Sequence, residues 1–264
     1  MSRSRAILSR LPTNKFPGGS ASLWLLDGDL VREDDLAFFV QQLGASEARR
    51  YGRFGRRERQ RQFLLGRMLL RFAISDLTGL PPNVIGIVER PDNAPQLIFP
   101  ESECSPNYSL SHSRNWICCV VSAYAMVGVD IEVNDPRRDF VASSQLAFHP
   151  NDYLWLLSQP DAARASAFYQ LWSLREALFK LESGMGCEGA ISPLVGADGE
   201  IASQGCGWFG YTLSHSDLTL IVCSDRPLIE LRKIELTGLS RADWPGGDHP
   251  FVTDQHDCLK RLYP

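Results

Sequence analysis

Two short stretches hold residues whose types and spacing could do chemistry. Val127 to Val133 reads VGVDIEV. As a strand, its period of 2 puts Asp130 and Glu132 on one face and Val129, Ile131 and Val133 on the other. Carboxylates two residues apart on a strand sit about 7 Å apart along the backbone and their side chains can converge. Hard divalent cations such as Mg²⁺ favour this donor set, completed by water and phosphate oxygens. Leu171 to Gly184 reads LWSLREALFKLESG. Leu171, Leu174, Leu178 and Leu181 make an apolar helical stripe. Trp172, Glu176 and Lys180 form a second face with Arg175 beside it, and Gly184 stands where a C-cap is expected. Taken singly, D-x-E also describes a half-exposed edge strand, and Glu176–Lys180 a surface ion pair of about 0.2–0.5 kcal/mol.

The scaffold for these residues is an ordinary globular chain: 264 residues, 44% hydrophobic, 22% charged, net charge −4. That charge gives no general attraction to nucleic acid or anionic membrane. Nine arginines nevertheless crowd between Arg49 and Arg71. Seven cysteines without a C-x-x-C pair argue against a disulfide framework or zinc site, and Cys118 and Cys119 are expected in the core. No secretory h-region and no span-length apolar run is present, so a reducing cytoplasm is the expected compartment.

Residues 1–22 read as a poorly ordered lead-in. Leu23 to Leu30 predicts a strand turning at Asp27-Gly28, and Asp34 to Leu43 a helix, with Ser46 able to cap the next one. Arg56 to Leu77 is the longest helical pattern, stopped by Thr78-Gly79 and Pro81-Pro82. Asn83 to Arg90 alternates as a strand. Tyr108 to Ser122 predicts a turn feeding a buried strand. Ala147 to Leu157 is a further apolar stretch with Asp152 in it, after a polar, Pro-containing link; beyond Arg226 no usable motif is found.

Together, VGVDIE and WSLREALFK resemble the paired signature of the 4′-phosphopantetheinyl transferases, in the larger pseudo-dimeric form acting on peptide and polyketide synthetases and acyl carrier proteins. The resemblance runs from about Glu47 to Gly184, more faintly to Val222. It implies an α+β fold of two pseudo-symmetric halves, each a small antiparallel sheet packed with a long helix. It also implies transfer of the phosphopantetheine arm of coenzyme A to a carrier-protein serine, leaving 3′,5′-ADP. By the same resemblance Asp130, Glu132 and Asp152 would hold Mg²⁺. Glu176 would be the general base, directly or through water, and Lys180 would offset charge on the pyrophosphate. Ser111 and His112, in YSLSHS, would meet coenzyme phosphates, as would Arg175, which stands where relatives carry Lys. Arg50, Arg57 and Arg61 would meet the 3′-phosphate. RPDNAPQL, from Arg90 to Leu97, occupies the family's G-K-P-x-L loop. Pro95 and Leu97 remain, but Asn93-Ala94 replace Gly-Lys, leaving Arg90 to compensate.

YTLSHS at Tyr211–Ser216 echoes YSLSHS at Tyr108–Ser113, and the helices around Arg67–Arg71 and Glu176–Lys180 correspond. The chain therefore divides into halves 1–123 and 124–264, joined near Ala123-Tyr124, with His215 a structural counterpart of His112. One polypeptide with both halves should act as a monomer with coenzyme A and an apo carrier protein. Two alternatives stay open: a Mg²⁺-dependent phosphohydrolase, and an inactive coenzyme A-binding relative.

Overall fold

The structure, a computed structural model, describes residues 18–91, 93–99, 105–135, 137–186, 192–244 and 253–257. Most of the lead-in expected over residues 1–22 lies outside them. Strand β1 (Ser20–Asp27) is followed by α1 (Glu33–Val40), α2 (Ala45–Tyr51) and the long α3 (Arg57–Thr78). A hairpin of β2 (Gly86–Arg90) and β3 (Asn93–Ile98) precedes a second hairpin, β4 (Asn107–Ser113) and β5 (Trp116–Ser122). Then come β6 (Val127–Val133), α4 (Phe140–Ala147), α5 (Pro150–Ser158) and the longest helix, α6 (Asp161–Met185). Strands β7 (Gln204–Gly205), β8 (Trp208–Leu213), β9 (Leu218–Ser224), β10 (Glu230–Leu236) and β11 (Thr253–Asp257) complete the order.

The strands form two larger sheets, ordered β11-β10-β1-β5-β4 and β6-β9-β8-β7, plus the β2–β3 ribbon. Alternation sorts the side chains into layers. In β1, Trp24 and Leu26 join Leu65, Met68, Leu69 and Phe72 of α3 in one core. Leu23 and Leu25 turn the other way, meeting Val127, Val129 and Ile131 of β6 and Leu220 and Val222 of β9 in a second. Leu171, Leu174, Leu178 and Leu181 bury the predicted stripe of α6 in a third, against Ile221 and Cys223. Each such side chain contributes about 1.5–3 kcal/mol on burial. The order is therefore helix, sheet, sheet, helix. This is the expected α+β architecture, with one addition: β10 pairs parallel with β1, so a late strand lies inside the first sheet.

Several boundaries differ from expectation. The residues 108–113 are not a turn but strand β4; the turn is Arg114-Asn115, with Arg114 at φ 51°. Helix α6 runs through Gly184 to a left-handed cap at Gly186, φ 71°. Helix α2 is capped from Gly44, whose N–H donates to Glu47, and Ser46 instead donates to the Ile87 carbonyl and accepts from Glu89 N–H.

Candidate active site

Both larger sheets end in an edge strand, β4 in one and β6 in the other, and the two edges meet. Serines at every second position of β4 join them. Ser109 Oγ accepts from Val129 N–H at 3.2 Å and Ser113 Oγ from Val133 N–H at 3.1 Å. Ser111 donates to Asp130 Oδ1 at 2.9 Å, and Ser113 to Glu132 Oε2 at 2.8 Å. The serines share the inner face of the first sheet, since Ser111 pairs with Cys118 and Ser113 with Trp116. The intervening His112 points to the α3 side.

Across β6, the valine and isoleucine face enters the second core while Gly128, Asp130 and Glu132 face α6. Lys180 Nζ donates to Asp130 Oδ1 at 2.8 Å, Ser111 Oγ at 2.8 Å and the Val129 carbonyl at 2.9 Å, filling its three donors. Asp130 Oδ2 is buried without a protein partner. Glu132 Oε1 lies 3.9 Å from Arg138, whose guanidinium sits over the stacked rings of Phe168 and Trp172 at 5.3 and 5.2 Å. Burial holds the Glu132 carboxyl above its ordinary pKa, with Asp130's charge adding to this and the Ser113 hydrogen bond opposing it. Burial also raises Glu176, helped by Asp130 and opposed by Lys180. Among the described residues nothing hydrogen-bonds the Glu176 carboxylate, so it is free to accept a proton.

The structure thus brings together Asp130, Glu132, Glu176, Lys180 and Ser111, with His112 on the neighbouring face. Other expected residues are placed elsewhere. Asp152 is fully buried on α5, where its oxygens accept from Leu194 and Val195 N–H and from Arg175 Nη2 at 2.8 Å. It fastens α5, α6 and the 194–195 backbone to one another. Among the described residues no group of three His, Cys, Asp or Glu is arranged to hold a metal. Arg175 donates through Nη2 to Asp152 and the Ser192 carbonyl beside the site. Arg61 donates to the Gly28 and Val31 carbonyls and pairs with Glu33, spending itself on the turn after β1. Arg90 is folded onto the Ala94 carbonyl of its own hairpin. Pro95 offers its carbonyl to the Tyr108 hydroxyl. Arg50 pairs with Glu89 at 2.6 Å, and Arg57 is exposed on the first turn of α3.

One residue at the site escaped the sequence reading. Arg59 Nη1 lies 3.0 Å from His112 Nε2. A guanidinium only donates, so Nε2 accepts and the ring proton sits on Nδ1. Packing around the ring, then the charges of Arg59 and Lys180, hold the His112 pKa down at about 4, although its side chain still reaches solvent. His112 is neutral at neutral pH. His215, its counterpart, accepts from Asp217 N–H and packs edge-on against Trp116 at 5.1 Å.

Comparison with known proteins agrees with this geometry. The family model for the 4′-phosphopantetheinyl transferase superfamily matches residues 126–194, which hold β6 and α6. That for the 4′-phosphopantetheinyl transferase N-terminal region matches residues 31–124, which hold α3 and β4. The chain is 29% identical over 173 residues to the 4′-phosphopantetheinyl transferase HetI of Nostoc, covering 66% of this chain and 73% of the relative. It is 35% identical over 132 residues to psf-1 of Bacillus pumilus, covering 50% and 54%. It is 26% identical over 162 residues to Sfp of Bacillus subtilis, covering 60% and 67%. Two adjoining family matches that together span more than half the chain, and that fall on both sides of the seam, place it: the chain belongs to the 4′-phosphopantetheinyl transferases.

Proposed function

We propose that this chain moves the 4′-phosphopantetheine arm of coenzyme A onto a serine hydroxyl of an apo acyl or peptidyl carrier protein, releasing 3′,5′-ADP. Coenzyme A is the substrate of its family, which acts on carrier proteins. The observation that carries the reading is the convergence of a carboxylate pair, a free glutamate and a lysine where two sheet edges meet.

The donor set fits a hard divalent cation. Asp130 and Glu132 supply carboxylate oxygens, and the buried Asp130 Oδ2 lacks any protein partner. We assign Mg²⁺ to this pair, without Asp152; when bound, it supplies Lewis-acid stabilisation of pyrophosphate charge. The remaining work belongs to the chain. Lys180, fixed by Ser111 and the Val129 carbonyl, places a positive charge where the departing 3′,5′-ADP gains negative charge as the pyrophosphate bond breaks. Glu176, its affinity for protons raised by burial, accepts the serine proton. Phosphoryl-type transfer needs such placement more than covalent help. The two halves, 1–123 and 124–264, supply β4 and β6 from one polypeptide, which supports a monomer. Among the described residues no helix is long and apolar enough to cross a membrane, and the cytoplasm is the proposed compartment.

Intact-mass measurement of an apo carrier protein, incubated with the chain, coenzyme A and Mg²⁺, tests this reading. A gain of one phosphopantetheine arm is expected, and its loss with EDTA. No gain with several carriers would overturn it.

A further inference from the structure

Each carboxylate of the seam faces a cation, and the two cations are held differently. Lys180 is hydrogen-bonded to Asp130, Ser111 and the Val129 carbonyl. Arg138 stands 3.9 Å from Glu132 Oε1, within ion-pair distance and beyond the length of a hydrogen bond. Among the described residues its guanidinium makes no hydrogen bond, so its N–H groups stay open.

Aromatic rings and backbone, rather than the carboxylate, keep Arg138 in this place. Its guanidinium lies over Phe168 at 5.3 Å and Trp172 at 5.2 Å, two rings of α6 that stack on each other. Its backbone N–H donates to the Asp135 carbonyl, which also accepts from the Tyr169 hydroxyl. That hydroxyl in turn accepts from Asp135 N–H, tying the link after β6 to α6. The Asp135 carboxylate is occupied by Arg114 and Arg137 and does not draw Arg138 away.

A positive charge is thus fixed beside one of the two carboxylates assigned to Mg²⁺. Toward a divalent cation arriving alone it is a like charge, and it shares the same carboxylate. Toward a pyrophosphate, each of whose phosphates carries negative charge, it is an attractive fork. One side chain therefore opposes the cation by itself and favours the cation together with a pyrophosphate. We propose that Arg138 is a positioning residue that makes binding of the divalent cation conditional on the pyrophosphate of the donor. The identity of the donor rests on the transferase reading; the antagonism toward the lone cation rests on Arg138 and Glu132.

The test is calorimetric titration of Mn²⁺ into the full chain, with and without saturating coenzyme A, and with no carrier protein present. Mn²⁺ shares the preference of Mg²⁺ for carboxylate oxygens, and blank titrations into coenzyme A are subtracted. In the wild type, coenzyme A should tighten Mn²⁺ by at least about 5-fold, and Mn²⁺ should tighten coenzyme A by the same factor. Arg138→Gln should bind Mn²⁺ alone about 2- to 5-fold more tightly, the effect of removing one partly exposed charge. The tightening by coenzyme A should shrink by at least that factor. Arg138→Lys, which keeps the charge without the fork, should bind Mn²⁺ alone as the wild type does and recover part of the coupling. Unchanged coupling in Arg138→Gln would overturn the inference. So would equal weakening of Mn²⁺ with and without coenzyme A, the mark of a merely structural role. Coupling that behaves as expected, without transfer to any carrier protein, would sink the transferase reading alone and leave the role of Arg138 standing.

Discussion

Gly128 of β6 lies directly under the Ala177 carbonyl of α6: a methyl group on Gly128 would stand 2.0 Å from that oxygen and 2.7 Å from Leu181 N. The helix rests on bare strand backbone, and Lys180, three residues beyond Ala177, reaches Asp130 because of it. Gly128→Ala should force the helix outward. The cost is about 1–3 kcal/mol or more, a melting-temperature drop of several degrees at this chain length. Transfer should fall by more than about 10-fold, because a 1 Å misplacement of reacting groups costs about 100-fold. Thermal melts and carrier-loading rates check both; a variant with wild-type activity would mean the helix contact does not position Lys180.

Glu176 titrates above the ordinary glutamate range. A base with a raised pKa is ionised only above that value, so activity should decline as pH falls through it, on an acid limb displaced upward from that of an exposed carboxylate. Glu176→Gln should remove the limb and lower kcat by about 10²–10⁴-fold. A pH–rate profile of both proteins decides this. Retention of the limb in Glu176→Gln would assign it elsewhere.

Ser113 and Ser111 divide the seam's work. Ser113→Ala leaves Val133 N–H and Glu132 Oε2 without their partner, which should cost about 1–3 kcal/mol in urea unfolding. It also removes a hydrogen bond that favours ionised Glu132, so its pKa rises further and half-saturation by Mg²⁺ should shift to higher concentration. Ser111→Ala, which frees Lys180 and Asp130 from their shared hydroxyl, should lower kcat more than stability. Equal effects of the two changes on kcat and stability would contradict the division.

Glu89 joins the β2–β3 ribbon to α3 through Arg67 at 2.6 Å and to α2 through Arg50 at 2.6 Å. Burial would push its carboxyl up, but the two guanidiniums outweigh this and hold it below its ordinary pKa. The sign follows: the pair stabilises fully above the unfolded-state value, and the contribution is lost as pH falls through the folded-state value. Stability should therefore decline from about pH 5 downward. Glu89→Gln should flatten that decline and cost about 3–5 kcal/mol at neutral pH, by leaving Arg67 buried and unpaired. Urea midpoints across pH measure it.

Local periodicity made β6 and α6 legible, because strand and helix geometry alone dictate which residues share a face. Asp130 and Glu132, and Glu176 and Lys180, could be placed on shared faces for that reason, while their roles came from the resemblance of VGVDIE and WSLREALFK to a family signature. What tertiary contact decides was hidden. Asp152 has the composition of a metal ligand and the position of a first-turn acid, and only the nearby 194–195 backbone shows how its oxygens are used. Arg59 is one arginine among nine, with no local sign that His112 lies beside it. Ser109, Ser111 and Ser113 alternate visibly, yet serine next to Arg114-Asn115 reads as turn chemistry. Their role appears only when a second strand edge lies opposite.

Strand β10 has a consequence for how the chain is made. It pairs in parallel with β1, from Ser20 opposite Glu230 to Leu26 opposite Leu236. Among the described elements β1 emerges first, and its partner β10 only after both long helices and both seam strands. Until then one side of β1 is an open edge with unsatisfied backbone groups and the apolar residues of two cores. The nascent N-terminal region must wait, guarded or transiently exposed, for its closing strand. A stalled or truncated translation product ending before residue 230 is thus a candidate for chaperone capture or degradation rather than a smaller working enzyme.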